Sequence, residues 1–272
     1  MAAGIARALR APRFITIAGL TLMTALAWLW IASGAGMPHG AQYSLFPFAA
    51  DAGRSSQAMA QGMAMTVWSA HNILLSFAMW WVMMVAMMIP AAAPVVLLYD
   101  RSYRTSYGSA TPPIWQFVSG YIVVWGVFSV FAAVAQIALS QAMLLSPAIM
   151  ALEMDLLSPI VLIAAGIYQL TPAKQACLRH CRNPALFIAR HHSPGAAGAF
   201  RLGLIHGAYC LGCCWLLMLL LFVGGVMNLV WIAILTLAVA AEKLLPYGRK
   251  VSLALGAAFV MLGGSMLFGI QV

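Results

Sequence analysis

The residues best suited to chemistry are five cysteines confined to a short part of the chain. Three of them occur in the sequence HGAYCLGCCWLLM, residues 206–218, which is apolar enough to lie in lipid. On a helix, Cys210 shares a face with both Cys213 and Cys214, and His206 lies one turn before Cys210. Thiolate and imidazole groups can bind a soft metal ion, and paired cysteines can also exchange disulfides. Metal binding, redox chemistry and plain packing by small apolar side chains are therefore all open.

A second pair, Cys177 and Cys181, precedes this segment in the sequence PAKQACLRHC. The C-x-x-x-C spacing places both thiols on one face of a short helix, with Thr171 as its N-cap and Pro172 in its first turn. Zinc is the alternative metal for this pair, because cysteine and histidine are its usual ligands and three histidines lie nearby, His180, His191 and His192.

Methionines repeat along an earlier apolar segment, FAMWWVMMVAMMIP. Met79, Met83 and Met87 are four residues apart, and Met84 and Met88 form a parallel pair, so the five thioethers form a ladder that rises about 6 Å per step on a helix. We call these five residues the methionine ladder. Thioether sulfur is a neutral, soft ligand that suits Cu(I), although methionine also fills gaps between packed helices.

Further methionines and histidines lie between the first two apolar segments. In this stretch, residues 33–71, Gly, Ala, Ser and Pro are frequent, so methionines there do not belong to a packed core. Spaced thioether and imidazole ligands in an exposed loop predict capture of copper outside the cytoplasm. The residues concerned are Met37, His39, Met59, Met63, Met65 and His71.

The composition requires a lipid environment for most of the chain. Of the 272 residues, 64% are hydrophobic and 7% are charged, and the mean hydropathy is +0.96. Soluble proteins carry about 25% charged residues, so this chain cannot cover a water-facing surface. The net charge of +9 does not indicate nucleic-acid binding, because the basic residues lie in short loops between apolar segments.

Seven apolar segments predict an all-α, polytopic membrane protein. We place them at residues 14–32, 72–98, 115–139, 156–170, 202–224, 229–245 and 252–270. The first segment is an N-terminal anchor helix or a cleaved signal peptide within residues 1–32, and cleavage would leave six helices. The external loop 33–71 follows, and residues 72–272 form a six-helix membrane domain with a cytoplasmic loop at 171–201. The second segment is expected to tilt or to end near Pro90 and Pro94.

The positive charges predict the orientation of the chain. If every segment spans, 13 of the 14 Lys and Arg residues fall on one side and only Arg54 falls on the other. This distribution predicts a cytoplasmic N-terminus and a multi-pass protein of a bacterial inner (plasma) membrane. Glu242 is the only acidic residue expected in the membrane on the cytoplasmic half. It is expected to interact with His206 or to pair with Lys243 or another basic residue.

Four stretches carry a resemblance to a known family: MWWVMMVAMMIP, YQLTPAKQACLRHCRNP, GAYCLGCCWLLM and AAEKLLPYGRK. Residues 70–270 resemble an uncharacterised family of bacterial predicted metal-binding integral membrane proteins. The resemblance implies a metal-binding role without a defined metal or activity, and it does not include the loop before residue 70. The positions it implies are Met83, Met84, Met87, Met88, Cys177, Cys181, Cys210, Cys213 and Cys214.

The sequence therefore predicts a membrane protein that binds Cu(I) and transports or delivers it. The external loop captures the ion, the methionine ladder conducts it, and His206 with Cys210, Cys213 and Cys214 receives it. Cys177 and Cys181 then take it on the cytoplasmic side. A membrane thiol–disulfide oxidoreductase is the first alternative and a structural or assembly subunit is the second. The absence of known enzyme motifs favours a binding or transport role over an enzyme, with a metal chaperone or metalloenzyme as the partner.

Overall fold

The computed structural model describes residues 2–33, 70–108, 111–145, 150–152 and 156–268. Helices are the only extended secondary structure in these ranges, beside one isolated bridge between Leu145 and Leu152. The predicted all-α class is confirmed. In chain order the helices are α1 (Ala2–Ala32), α2 (Ala70–Tyr107), α3 (Ile114–Gln141), α4 (Leu157–Leu170), α5 (Pro172–Arg182), α6 (Pro184–His191), α7 (Gly195–Leu219), α8 (Leu221–Gly224), α9 (Leu229–Leu244) and α10 (Gly248–Leu267).

Five stretches of helix within the described residues are long and apolar enough to cross a membrane. They lie at Arg13–Ala32, Ala70–Tyr107, Ile114–Gln141, Gly195–Gly224 and Gly248–Leu267. The two other predicted segments are also helices, but α4 has 14 residues and α9 has 16. A span of the hydrocarbon layer takes about 20 residues, so length alone does not qualify these two helices.

Helix α2 is longer than expected because it continues through both prolines. It has 38 residues and includes Pro90 and Pro94. Each proline removes one backbone hydrogen bond, which packing against neighbouring helices can compensate. Arg101 and Arg104 consequently lie on α2 and not in a loop. Asp100 is fully buried and pairs with Arg104 at 2.7 Å, so Glu242 is not the only buried acid among the described residues.

Helix α7, which carries three of the cysteines, packs most extensively on α3. A Cβ atom at Gly203 would collide with the carbonyl oxygen of Phe117, and one at Gly120 would collide with that of Phe200. Small residues at these points let the two backbones approach closely. Helix α7 begins at Gly195, seven residues before the predicted start, and Pro194 is its N-cap.

Helix α5 lies against α7 and brings the second cysteine pair to the first set. It begins at Pro172, and the Thr171 side chain accepts a hydrogen bond from the Lys174 backbone N–H at 3.3 Å. This cap confirms the predicted start of the short helix. Proline at the first position loses no hydrogen bond, because the first N–H groups of a helix have no internal partner.

Candidate metal centre

Four of the five free cysteines are gathered in one buried group. Cys210, Cys213 and Cys214 of α7 are each 1% exposed or less, and Cys181 of α5 is 8% exposed. The thiols of Cys213 and Cys214 donate to the Cys210 carbonyl at 3.0 and 2.9 Å, and Cys181 lies against Cys210 and Cys213. We call these four residues the thiol cluster. The i, i+3 and i+4 spacing on α7 brings three of its members to one face.

Lys243, in the last turn of α9, extends its ammonium group into the thiol cluster. Its Nζ lies 2.8 Å from the Cys210 sulfur and 3.9 Å from the Cys214 sulfur, and the residue is 7% exposed. It also interacts electrostatically with Cys181 and Cys213. A cation therefore sits among the buried sulfur atoms, at the level where α9 ends.

Tyr121 of α3 joins the thiol cluster to the helix that carries the methionine ladder. Its hydroxyl lies 3.0 Å from the Cys210 sulfur and donates to the Met88 carbonyl oxygen at 3.2 Å. The carbonyl can only accept, so a hydroxyl that donates there must accept from the Cys210 thiol. If Cys210 is a thiolate, the same hydroxyl can instead donate to the sulfur. The Tyr121 hydroxyl oxygen therefore bridges the Met88 carbonyl oxygen and the Cys210 sulfur.

Glu242, next to Lys243 in sequence, does not interact with it. Its carboxylate accepts from Lys174 Nζ at 2.7 Å, from Gln169 Nε2 at 2.8 Å and from the Ser252 hydroxyl at 3.1 Å. The expected interaction of Glu242 with His206 or Lys243 was wrong, whereas pairing with another basic residue was right. These contacts tie α9 to α4, α5 and α10 and fix the helix end from which Lys243 extends.

His206 is buried beside the thiol cluster on an aromatic wall. It is 2% exposed, and its ring centroid lies 5.5 Å from that of Tyr121 and 5.2 Å from that of Phe187. Its Nδ1 atom has no hydrogen-bond partner among the described residues. Tyr121 contacts both the His206 ring and the Cys210 sulfur. The predicted stripe of His206, Cys210 and Cys213 is therefore continuous and buried.

Cys177 is half-buried at the edge of the group, beside Gly212. Burial raises the pKa of the Cys177 thiol. The histidines proposed for zinc point elsewhere: His180 stacks on Tyr209 at 3.9 Å, and His191 and His192 contact aromatic side chains. Among the described residues, no three His, Cys, Asp or Glu side chains form a ready-made metal-binding group.

The methionine ladder lies in the interior of the helix bundle. Met83, Met84, Met87 and Met88 are at most 1% exposed, and Met79 is 6% exposed. The ladder helix packs on α1, α3, α6 and α9. Of the histidines and methionines assigned to the external loop, His71 lies in the first turn of α2, and Met37, His39, Met59, Met63 and Met65 lie outside the described residues.

Two members of the site were missed by the sequence reasoning. Lys243 was considered only as a partner for Glu242, and lysines near helix ends normally reach water. Tyr121 lies in an apolar segment with no neighbouring polar pattern, so no sequence signal marks it. Lys243 lies in the AAEKLLPYGRK stretch, one of the four stretches that carry the family resemblance. Its place there was the only sequence signal for this residue.

The chain has apolar helices of membrane-spanning length and buries thioether and thiol groups, which are the kinds of ligand that soft metal ions prefer. The family comparison specifies the metal. The PpoB2 family model, described as copper chaperone, matches residues 77–266, and the chain belongs to this family. No curated protein and no solved structure matches the chain.

Proposed function

We propose that this protein is a multi-pass inner-membrane copper chaperone that receives Cu(I) through the methionine ladder and binds it at the thiol cluster. The observation that carries this proposal is that four buried, free thiols from two helices lie together. The Tyr121 hydroxyl connects one of them, Cys210, to Met88 on the helix of the methionine ladder. Packing alone would not require four cysteines to meet a cation. The membership of a copper chaperone family supports copper as the cargo.

The thioethers serve as the entry side of the site. They are neutral, so a monovalent cation can move between them without a buried carboxylate that would attract divalent ions. The buried run from Met79 to Met88 ends at the backbone oxygen that Tyr121 contacts. The external loop residues, including His71, would supply the ion to Met79, the first residue of the methionine ladder.

The thiol cluster serves as the binding side, and Cys177 as the exit. Thiolates bind Cu(I) more strongly than thioethers, so transfer from the ladder to Cys210, Cys213 and Cys214 is downhill. Cys181 belongs to the same cluster, while Cys177 is nearer to solvent at the α5 edge. His206 borders the cluster and lends its unpartnered Nδ1 as a further ligand atom. From Cys177 the ion would pass to a metal chaperone or a metalloenzyme.

Zinc fits this environment less well than copper. Zinc sites prefer four tetrahedral ligands from cysteine, histidine or carboxylate, and the Nδ1 atoms of His180 and His191 lie within hydrogen-bond distance of backbone carbonyl oxygens of their own helices. The ladder offers zinc little, because thioether is a poor ligand for that ion.

The test is Cu(I) titration of the purified protein in detergent, without oxygen, against a chromogenic Cu(I) chelator. We expect tight binding by the native protein and its loss when Cys210, Cys213 and Cys214 are all replaced by serine. Cys177→Ser is the matched control, because it removes a thiol outside the cluster and should leave binding nearly unchanged. Met83→Leu with Met87→Leu should slow loading, with exposed Met261→Leu as its control. A native protein that binds no Cu(I), or a triple variant that binds it equally well, would refute the proposal.

The same samples separate copper binding from disulfide exchange. Metal binding predicts thiols that stay reduced in cells and become protected from alkylation by Cu(I). An oxidoreductase predicts that members of the cluster change redox state when an oxidant is added, regardless of copper.

A further inference from the structure

We propose that Lys243 determines the charge of the ion that the thiol cluster accepts, by balancing a two-sulfur Cu(I) complex formed by Cys210 and Cys214. This inference rests on the proposed copper-binding function and adds a specificity residue to it. The two sulfur atoms are chosen because they are the ones within 2.8 and 3.9 Å of the Lys243 ammonium.

The position of Lys243 is unusual for a lysine at a helix end. Such side chains normally extend along apolar surface and leave the ammonium group in water. Here the residue is 7% exposed, and its Nζ faces sulfur. Removing an ammonium group from water costs several kcal/mol or more unless a partner compensates. The contacts that compensate for this burial must therefore come from the cluster.

No carboxylate of the described residues neutralises this ammonium. Glu242 is the nearest acid along the chain, but its oxygens accept from Lys174, Gln169 and Ser252. The other ion pair in the described ranges, between Arg104 and Asp100, lies at the end of α2. Since Glu242 and Lys174 cancel each other, the Lys243 ammonium has no carboxylate partner among the described residues and faces only the cluster sulfurs.

For Cu(I), the charge balance favours binding by two thiolates. Cu(I) with two thiolates carries one negative charge, and the Lys243 ammonium brings the total to zero, whereas a third thiolate leaves an excess negative charge. A divalent ion with the same two thiolates leaves an excess positive charge and would need a third thiolate to reach zero. Any net charge is costly in a buried site, because the low dielectric constant neither screens nor solvates it.

Lys243 also holds the sulfur atoms in place by hydrogen bonding. An ammonium group has three donors, so it can contact the Cys210 and Cys214 sulfurs together. Tyr121 contacts Cys210 from the opposite helix, α3, at 3.0 Å. With Cys210 as a thiolate, Lys243 of α9 and Tyr121 of α3 can both donate to its sulfur and fix its position. We assign Lys243 a positioning and charge-balancing role, without direct coordination of copper.

The main test compares Lys243→Leu with Lys243→Arg in the full-length protein. Leucine removes the charge without adding a ligand for Cu(I), and arginine retains the charge. Affinities for Cu(I) and for Zn²⁺ are measured separately, each by competition with a chromogenic chelator. We expect Lys243→Leu to bind Cu(I) roughly 10- to 100-fold more weakly, the loss expected for one charge-assisted contact. Its affinity for Zn²⁺ should stay equal or rise, and Lys243→Arg should remain closer to the native protein for Cu(I).

X-ray absorption at the copper edge of the native protein supplies a measurement that does not depend on a variant. Two sulfur ligands would support the inference, and three or four would overturn it. Equal Cu(I) affinities of native protein and Lys243→Leu would also overturn it, while leaving the proposed function intact. If the native protein binds no Cu(I), the proposed function fails and this inference fails with it.

Discussion

Breaking the buried ion pair between Lys174 and Glu242 should destabilise the protein strongly. The two side chains are 0% and 1% exposed, so water cannot replace the lost partner. In Glu242→Gln the ammonium of Lys174 stays buried, but the carboxylate that compensates for it is gone. Removing one partner of such a pair costs about 3 to 5 kcal/mol, because the remaining charge is left without compensation. The amide of glutamine can still interact with Gln169 and Ser252, so the loss is mainly electrostatic.

The thiol cluster itself provides the assay. Its four cysteines are buried and free, so a thiol-reactive fluorescent dye reports their exposure as the protein unfolds with temperature in detergent. We expect the apparent midpoint of Glu242→Gln to fall by on the order of 10 °C, from the stability change and the usual slope for a domain of this size.

Two comparisons make this prediction specific. Ser252→Ala removes one neutral donor to the same carboxylate and should cost only about 1 kcal/mol. Replacing both charges, Lys174→Met with Glu242→Gln, should be less harmful than Glu242→Gln alone, because no unpaired charge remains buried. If Glu242→Gln melts like the native protein, the assigned ion pair is not formed and the reasoning is refuted.

Three further results are expected. Gly203→Val should cost about 3 kcal/mol in the same melting assay, because the new side chain would collide with the Phe117 backbone, whereas Gly264→Ala, in open space, should melt normally. Tyr121→Phe should cost about 1 kcal/mol by removing a buried hydroxyl between two helices, and an unchanged midpoint would contradict that contact. Alkylation of Cys177 in the folded protein should reach half of its maximal rate at a higher pH than for an ordinary thiol, whose pKa is about 8.5, because burial raises the pKa of Cys177 and the thiolate is the reactive form; a half-maximal rate at or below pH 8.5 would contradict this.

Local features of the fold could be predicted from the sequence. Thr171 followed by Pro172 specifies a helix start through its own side chains, and α5 begins there. The helical spacing of Cys210, Cys213 and Cys214 predicted that their thiols share a face, and all three are buried together. Such predictions succeed because they depend on neighbours within one helical turn.

Features that depend on contacts between helices could not be predicted in this way. Pro90 and Pro94 indicate a helix end locally, yet α2 continues through both of them and packs against several other helices. Glu242 and Lys243 are adjacent in sequence, but one is directed to Lys174 and the other to Cys210. Adjacent residues on a helix point about 100° apart, so their partners depend on which helices lie on each side.

The close approach of α3 and α7 has a mechanical consequence. The backbones of α3 and α7 touch at Gly120 and Gly203, so the two helices cannot slide past each other without a collision and form a rigid pair. Cys210, Cys213 and Cys214 lie on α7 of this pair and therefore keep a constant position. The 11-residue helix α5, which carries Cys177 and Cys181, is held to α9 by the buried ion pair of Lys174 with Glu242, so any displacement of this cysteine pair would require that ion pair to break.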